Sequence, residues 1–392
     1  MNTYSRSSGR GLAAFPRLLA AARKVTTACG LMTVCMSASA EITGKADILI
    51  GQTADLSGVQ MANVKEMSDA AFAYLDKINK AGGIDGRQLK IISVDDKYDP
   101  KVSAANAKQL DEKNVLALIL GRGTANAEAV IPVAMGAKLP VLGFVGGSLV
   151  MHSPAKRYFF NLRPPYRLEV ERAIGQLLAQ GTTKLATVYT DDAFGLDALE
   201  GFKAGMTAAK LEAVATVSIP RGDPKVDDAV AKLMAAKPDA IIGLCVSKPC
   251  AHLVKELRGA GFTGRFLSLS NTASSSYVKE LGEFSRGVIV TQVFPSPYSV
   301  VTAVSNEFQK LAAEYKLPQS YAGMEGYINA RVLVDAIKRT GGKTTRESLV
   351  IALENMRSVD YGGYLLTFSP TDHTGSEVVE LSIIGKDGRF MR

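Results

Sequence analysis

The residues that could do chemistry in this chain are few, and none completes a catalytic constellation. His152, His252 and His373 lie far apart; His252 and His373 each have a glutamate four positions on, Glu256 and Glu377, but no second histidine completes a metal motif. Their default role is surface or hydrogen-bonded structure. Gly146-Gly147-Ser148 lacks the x-Gly that would complete a nucleophile elbow, so it reads as a strand-to-helix turn. Gly121-Arg122-Gly123-Thr124-Ala125-Asn126 resembles a dinucleotide fingerprint, but Asn126 stands at the third glycine position. Gly341-Gly342-Lys343-Thr344 resembles the end of a Walker A loop, yet Ile337 replaces its first glycine and a helix precedes it. The acidic pairs Asp95-Asp96 and Asp191-Asp192 fall at strand ends without a histidine or nucleophile, where helix capping and loop solvation are the expected roles. No enzyme, metal site or cofactor is expected.

The elements that would position these residues repeat one rhythm. Strand candidates at 48–50, 89–94, 115–120 and 141–144 alternate with helical stretches near 61–80, 101–112 and 125–137. The rhythm restarts with strands at 185–189, 213–219, 240–244 and 266–269 between helices near 166–180, 195–209, 225–236 and 249–260. Such βαβ series form parallel sheets covered on both faces, so the fold class is α/β with two doubly wound domains. After Pro295-Ser296-Pro297-Tyr298, helices at 299–315, 321–340 and 345–356 have no sheet of their own and should pack back on the first domain. The chain then ends in β-rich segments at 362–368 and 378–384, so it crosses between domains more than once.

Composition bounds the partners. The chain has 392 residues and a formal net charge of +8. Residues 1–40 hold Arg6, Arg10, Arg17, Arg23 and Lys24 without an acid, followed by an uncharged stretch and Ser37-Ala38-Ser39-Ala40. That order reads as a secretory signal peptide cut after Ala40, with an organelle-targeting segment or a basic tail as alternatives. The rest is close to neutral, which disfavours nucleic acid. Beyond the leader stand Cys245 and Cys250, at a spacing that fits neither a redox pair nor a zinc site; an inert buried pair is the first reading and a disulfide the second.

Open α/β sheets bind ligands beyond the carboxyl ends of their strands, where helix N-termini present free N–H groups. Here those places hold Ser57-Gly58, Gly123 to Asn126, Gly146-Gly147-Ser148, Asp191 to Phe194, Ser247 and Ser270-Asn271. Each alone is a turn or cap. Together they suggest a cleft between domains for a small polar or anionic molecule.

Several motifs, in order along the chain, resemble the type I periplasmic solute-binding proteins, in the Leu/Ile/Val-binding branch that serves ABC importers. They are Gly51-Gln52-Thr53-Ala54-Asp55-Leu56-Ser57-Gly58, Ile78-Asn79-Lys80-Ala81-Gly82-Gly83-Ile84-Asp85-Gly86, Asp95 to Pro100, Tyr189 to Gly195, Val290 to Pro295, and Glu325-Gly326-Tyr327 followed by Ala330-Arg331. The resemblance implies two α/β lobes joined by a three-crossing hinge, 46–162 plus 292–357 and 163–291 plus 358–392. It implies ligand capture by closure, a carboxylate held at Thr124, Ala125, Asn126 and Gly146, Gly147, Ser148, and further contacts from Phe194, Ser247 and Ser270.

The implied function is an exported, monomeric receptor that captures an amino acid or related small carboxylate and passes it to a membrane permease. A sensor subunit of the same fold and, less favoured, a secreted enzyme are the alternatives. The chain departs from the family pattern at Ser270, where branched-chain amino-acid binders carry an acid for the ligand's ammonium. A neutral serine cannot supply that charge-assisted contact, which points to a carboxylate lacking the amine. The cysteines of the family's first-lobe disulfide are also missing, with Tyr98 and a position near Gly123 in their place.

Overall fold

In a computed structural model, residues 46–221 and 225–391 are described. The expected leader, and the Asp223-Pro224 helix start, lie outside the described residues.

A five-stranded parallel sheet opens the fold. Its strands are β1 (Ile48–Ala54), β2 (Leu89–Asp95), β3 (Ala117–Ile119), β4 (Val141–Leu142) and β5 (Phe159–Phe160), in the spatial order β2-β1-β3-β4-β5. Between them run α1 (Met61–Lys80), α2 (Pro100–Glu112), α3 (Thr124–Gly136) and the short α4 (Leu149–His152). Six of the seven residues of β1 are buried, as a central strand covered on both faces requires. Asp99 caps α2 by accepting from the backbone N–H groups of Lys101 and Val102, and Pro100 suits the first helical position because its missing N–H would have no intrahelical partner.

The second sheet has seven strands. The chain enters it through α5 (Tyr166–Ala179), then runs β6 (Leu185–Thr190), α6 (Ala193–Ala208), β7 (Ala215–Ile219), α7 (Asp227–Ala236), β8 (Ala240–Leu244), α8 (Ser247–Gly259), β9 (Arg265–Ser268), α9 (Ser275–Leu281) and β10 (Ile289–Gln292). Three helices follow, α10 (Ala303–Tyr315), α11 (Tyr321–Arg339) and α12 (Arg346–Glu354), then a small antiparallel pair, β11 (Val359–Asp360) and β12 (Leu365–Leu366). The last strands, β13 (Glu380–Ile384) and β14 (Phe390–Met391), extend the second sheet antiparallel beyond β10, giving β14-β13-β10-β9-β8-β6-β7.

The late helices do return to the first lobe. Met67 and Ala71 of α1, Phe308 of α10, Ile328 and Leu333 of α11 and Leu353 of α12 share one apolar core with Ile48 and Ile50 of β1. Helices α1 and α11 approach backbone to backbone at Gly326, where an added Cβ would stand 1.9 Å from the Met67 carbonyl oxygen.

Two changes of core occur along the chain: Leu162 lies in the first core and Tyr166 in that of the second sheet, while Val290 lies in the second sheet's core and Val293 in the first. The third is later than expected. Tyr361, Tyr364, Leu366 and Phe368 all join the first core, with the Phe368 ring 5.3 Å from Phe160 and the Tyr364 ring 5.5 Å from Phe294. The aromatic residues of the small hairpin bury on the nearest apolar surface, so residues 358–368 belong with the first lobe and the return to the second sheet precedes Glu380.

Cys245 and Cys250 are joined by a disulfide, their Cα atoms 5.5 Å apart, and this corrects the reading of an inert thiol pair. The first turn of α8 folds Cys250 back over the end of β8, a proximity that sequence spacing does not display.

Candidate functional site

The carboxyl edges of the two sheets face one another, and the loops leaving them supply the site. After β3 the chain turns through Gly123 at φ 98°, a conformation that glycine adopts freely, and this aims the N-terminus of α3 at the opposite sheet. After β9, Ser270 to Thr272 form one turn of 3-10 helix. Across the gap, Arg122 Nη2 donates to the Asn271 carbonyl oxygen at 2.6 Å and Asn63 Nδ2 donates to the same oxygen at 3.2 Å. Glu66 of α1 accepts from the backbone N–H groups of Ser275 and Ser276 at the start of α9, at 3.0 and 2.7 Å. Arg221 donates to the Tyr98 carbonyl oxygen at 3.1 Å and sets its guanidinium 4.4 Å from the centre of the Tyr98 ring. These contacts hold the cleft shut.

Two small cavities remain, each with about 10 Å³ of room for the centre of a water, near the least that admits a single one. The first is lined by Asn63, Arg122, Arg163, Ser270, Gln292 and Glu325, among others. The second is bounded by Tyr98, Arg122, Thr124, Tyr166, Phe194 and Asn271. Arg122 and Asn271 belong to both.

Of the residues expected from sequence, Thr124 and Phe194 meet in the second cavity. Thr124 is 2% exposed and its Oγ1 has no protein hydrogen-bond partner. Phe194 packs edge-on against Tyr166, ring centres 4.8 Å apart. Ser270 lines the first cavity, and Ser247 lies at the cleft mouth in a groove of about 440 Å³ that also contains Gln60 and Asn63.

The others stand apart from the cavities. Asn126 Nδ2 donates to Ser103 Oγ at 2.9 Å and to Asp96 Oδ2 at 3.4 Å, a buried network between α2 and α3. Burial raises the Asp96 pKa, and the bonds from Ser103, Tyr98, Thr53 and Asn126 oppose the rise. Ala125 is half-buried. Gly146 leaves room for the Met151 sulfur, and the Gly147 carbonyl accepts from the Tyr166 N–H at 2.6 Å. Ser148 is the buried N-cap residue of α4.

Sequence reasoning missed the charged floor of the cleft. Glu169, fully buried on α5, accepts from Ser270 N at 2.9 Å, from Ser270 Oγ at 2.8 Å and from Thr291 Oγ1. Arg163 Nη2 donates to Ser270 Oγ at 2.8 Å, and its Nε lies 3.3 Å from Glu325 Oε1. Burial raises the Glu325 pKa, with Arg163 and Arg122 pulling it back. Burial works against the Arg163 charge, yet Glu325, Tyr166 and Glu169 leave its pKa raised overall. Arg122 is the opposite case, its pKa lowered chiefly by burial. Arg122 was visible only as the free middle position of a glycine motif. Arg163, Glu169 and Glu325 are far apart in sequence and form no local pattern. Among the described residues no group of three or more His, Cys, Asp or Glu could hold a metal ion.

Two doubly wound lobes shut over a buried polar cleft define a protein that captures a small solute. The chain belongs to the periplasmic binding protein family, whose model matches residues 47–388. It is 24% identical over 333 residues to a Leu/Ile/Val-binding protein homolog 3 of Brucella melitensis, an alignment covering 84% of this chain and 89% of that protein. Among solved structures it resembles a substrate-binding periplasmic protein from Ralstonia solanacearum, with TM-score 0.83 and 31% identity over 88% of this chain and 99% of that one. It also resembles a possible leucine/isoleucine/valine-binding protein from Rhodopirellula baltica, with TM-score 0.84 and 27% identity over 90% and 98%. The type I resemblance and the two-lobed α/β class therefore hold, and the protein is a solute-binding protein, not an enzyme.

Proposed function

We propose that the protein is an extracytoplasmic receptor of an ABC importer, capturing an amino acid or related small carboxylate by hinge closure and passing it to a membrane permease as a monomer. The observation that carries this reading is the shut cleft itself. Buried polar groups from both sheets converge there, and several of them, Thr124 Oγ1, Ser247 Oγ and Asn271 Oδ1 included, have no protein hydrogen-bond partner. Buried polar atoms are ordinarily satisfied, so such atoms suit contact with a ligand. Export is supported by the basic, then uncharged, then Ala-x-Ala order of residues 1–40. The Cys245–Cys250 bond suits an oxidising compartment. Thr124 with the N–H groups around it would hold the carboxylate, and Phe194 would cover the apolar body.

The test is a melting panel of amino acids, aliphatic acids, aromatic acids and sugars on the full chain, with recovery of the stabilising solute. A solute at 100 times its Kd adds about 2.7 kcal/mol to the stability. The receptor reading expects one class to raise Tm and to be returned unchanged; chemical conversion of the solute would overturn it.

A further inference from the structure

The ionic groups on the floor of the cleft are unequally matched. Glu169 has three donors, from Ser270 and Thr291, and Glu325 has Arg163. Arg122 has neutral acceptors only: Gln60 Oε1 at 3.0 Å from Nε, Asn63 Oδ1 at 3.4 Å from Nη1 and the Asn271 carbonyl at 2.6 Å from Nη2. It is 4% exposed, and no carboxylate among the described residues is in ion-pair contact with it. A guanidinium taken out of water without a counter-ion is strongly disfavoured, so an incoming anion gains most at this point. Arg122 borders both cavities, and in the second the unpartnered Thr124 hydroxyl at the start of the 13-residue α3 lies beside it. Three rings, Tyr98, Tyr166 and Phe194, line that cavity together with the aliphatic Val145 and Val246.

We propose that the cleft, its lobes parting to admit the solute, selects an apolar carboxylate that carries no ammonium group, with Arg122 as its counter-ion, Thr124 as a second donor and the three rings as part of the bed for its body. The proposal rests on the receptor reading and names its solute class. An ammonium group would meet Arg122 and Arg163 as like charges; Glu169 is filled by three donors, Glu325 is ion-paired with Arg163, and the one acceptor left without a partner on the lining of both cavities, Asn271 Oδ1, is neutral.

The test is calorimetric titration of the full chain with two matched pairs, 3-phenylpropanoate against phenylalanine and 4-methylpentanoate against leucine. At least one deaminated acid should bind about tenfold or more tighter than its amino acid, as burial of an ammonium group without a counter-charge implies. R122Q should weaken that binding about 30-fold or more, and R122K, which keeps the charge, should recover part of it. T124V should weaken it severalfold while the ligand-free protein melts as wild type does, so the proposal remains testable if R122Q does not fold. Equal or tighter binding of the amino acid, no effect of R122Q or T124V, or no binding of either deaminated acid would overturn the proposal. If the melting panel still shows a different solute stabilising the protein and returned unchanged, the receptor reading stands and this inference alone falls.

Discussion

Arg122 Nη2 and the carbonyl oxygen of Asn271 are 2.6 Å apart, and this bond joins the carboxyl edge of the first sheet to that of the second. It makes one residue both a clasp of the closed state and part of the lining of both cavities. Closure and ligand recognition are therefore coupled on the proposed reading: a solute must be accommodated where Arg122 meets Asn271, and the contacts that still join the lobes around it add to its apparent affinity.

Glu66 is the second clasp, accepting from Ser275 N and Ser276 N on the other lobe. Losing a cap of this kind costs about 1 kcal/mol. Glu66→Ala should thus weaken binding of the solute found in the melting panel about fivefold by calorimetry. Lys65→Ala, which removes only a surface pair with Asp69, serves as the control. Equal affinity in the two variants would rule out a role for Glu66 in closure.

Helix packing in the first lobe has a narrow tolerance at Gly326. A methyl group there would stand 1.9 Å from Met67 O, so α1 and α11 would have to separate. Gly326→Ala is expected to lower the unfolding free energy by about 3 kcal/mol in a denaturant titration. A loss below about 0.5 kcal/mol, typical of surface changes, would show that the helices are less closely packed than described.

His152 should make the protein acid-sensitive. It is 8% exposed, and burial, followed by repulsion from Arg163 and Lys156, pulls its pKa from 6.5 to about 3. Between those values the unfolded chain takes up a proton that the folded chain does not, so stability falls as pH drops from 6.5 towards 3. At about pH 5 the contribution is about 2 kcal/mol relative to neutral pH. Urea unfolding of wild type and His152→Gln at about pH 7.5 and pH 5 should show the larger acid loss in wild type. The same loss in both would contradict a buried neutral histidine.

Much of the fold is legible in the sequence because parallel strands buried on both faces must be continuous apolar runs, as in β8, where all five residues are buried. Helix α1 begins and ends where its periodicity predicts. The third crossing was misplaced because residues 359–366 are too short a stretch for alternation to reveal which core takes them. In the site, Thr124, Phe194 and Ser270 were recognisable as small or aromatic residues at strand ends, whereas Asn126 looked the same in sequence and faces Ser103 and Asp96 instead. Side-chain direction at a helix start depends on the opposing element, here α2. The Arg163–Glu325 pair and the bonds from Ser270 to Glu169 arise only when distant segments meet, so no local spacing encodes them.

The most direct test of the account is mass spectrometry of the small molecules released when the purified full chain is denatured. The expected result is a stoichiometric organic carboxylate without an ammonium group, lost from R122Q prepared in the same way. An amino acid recovered in its place would contradict the assigned selectivity, and a cationic or neutral solute recovered equally from wild type and R122Q would contradict the role of Arg122 at the centre of the cleft.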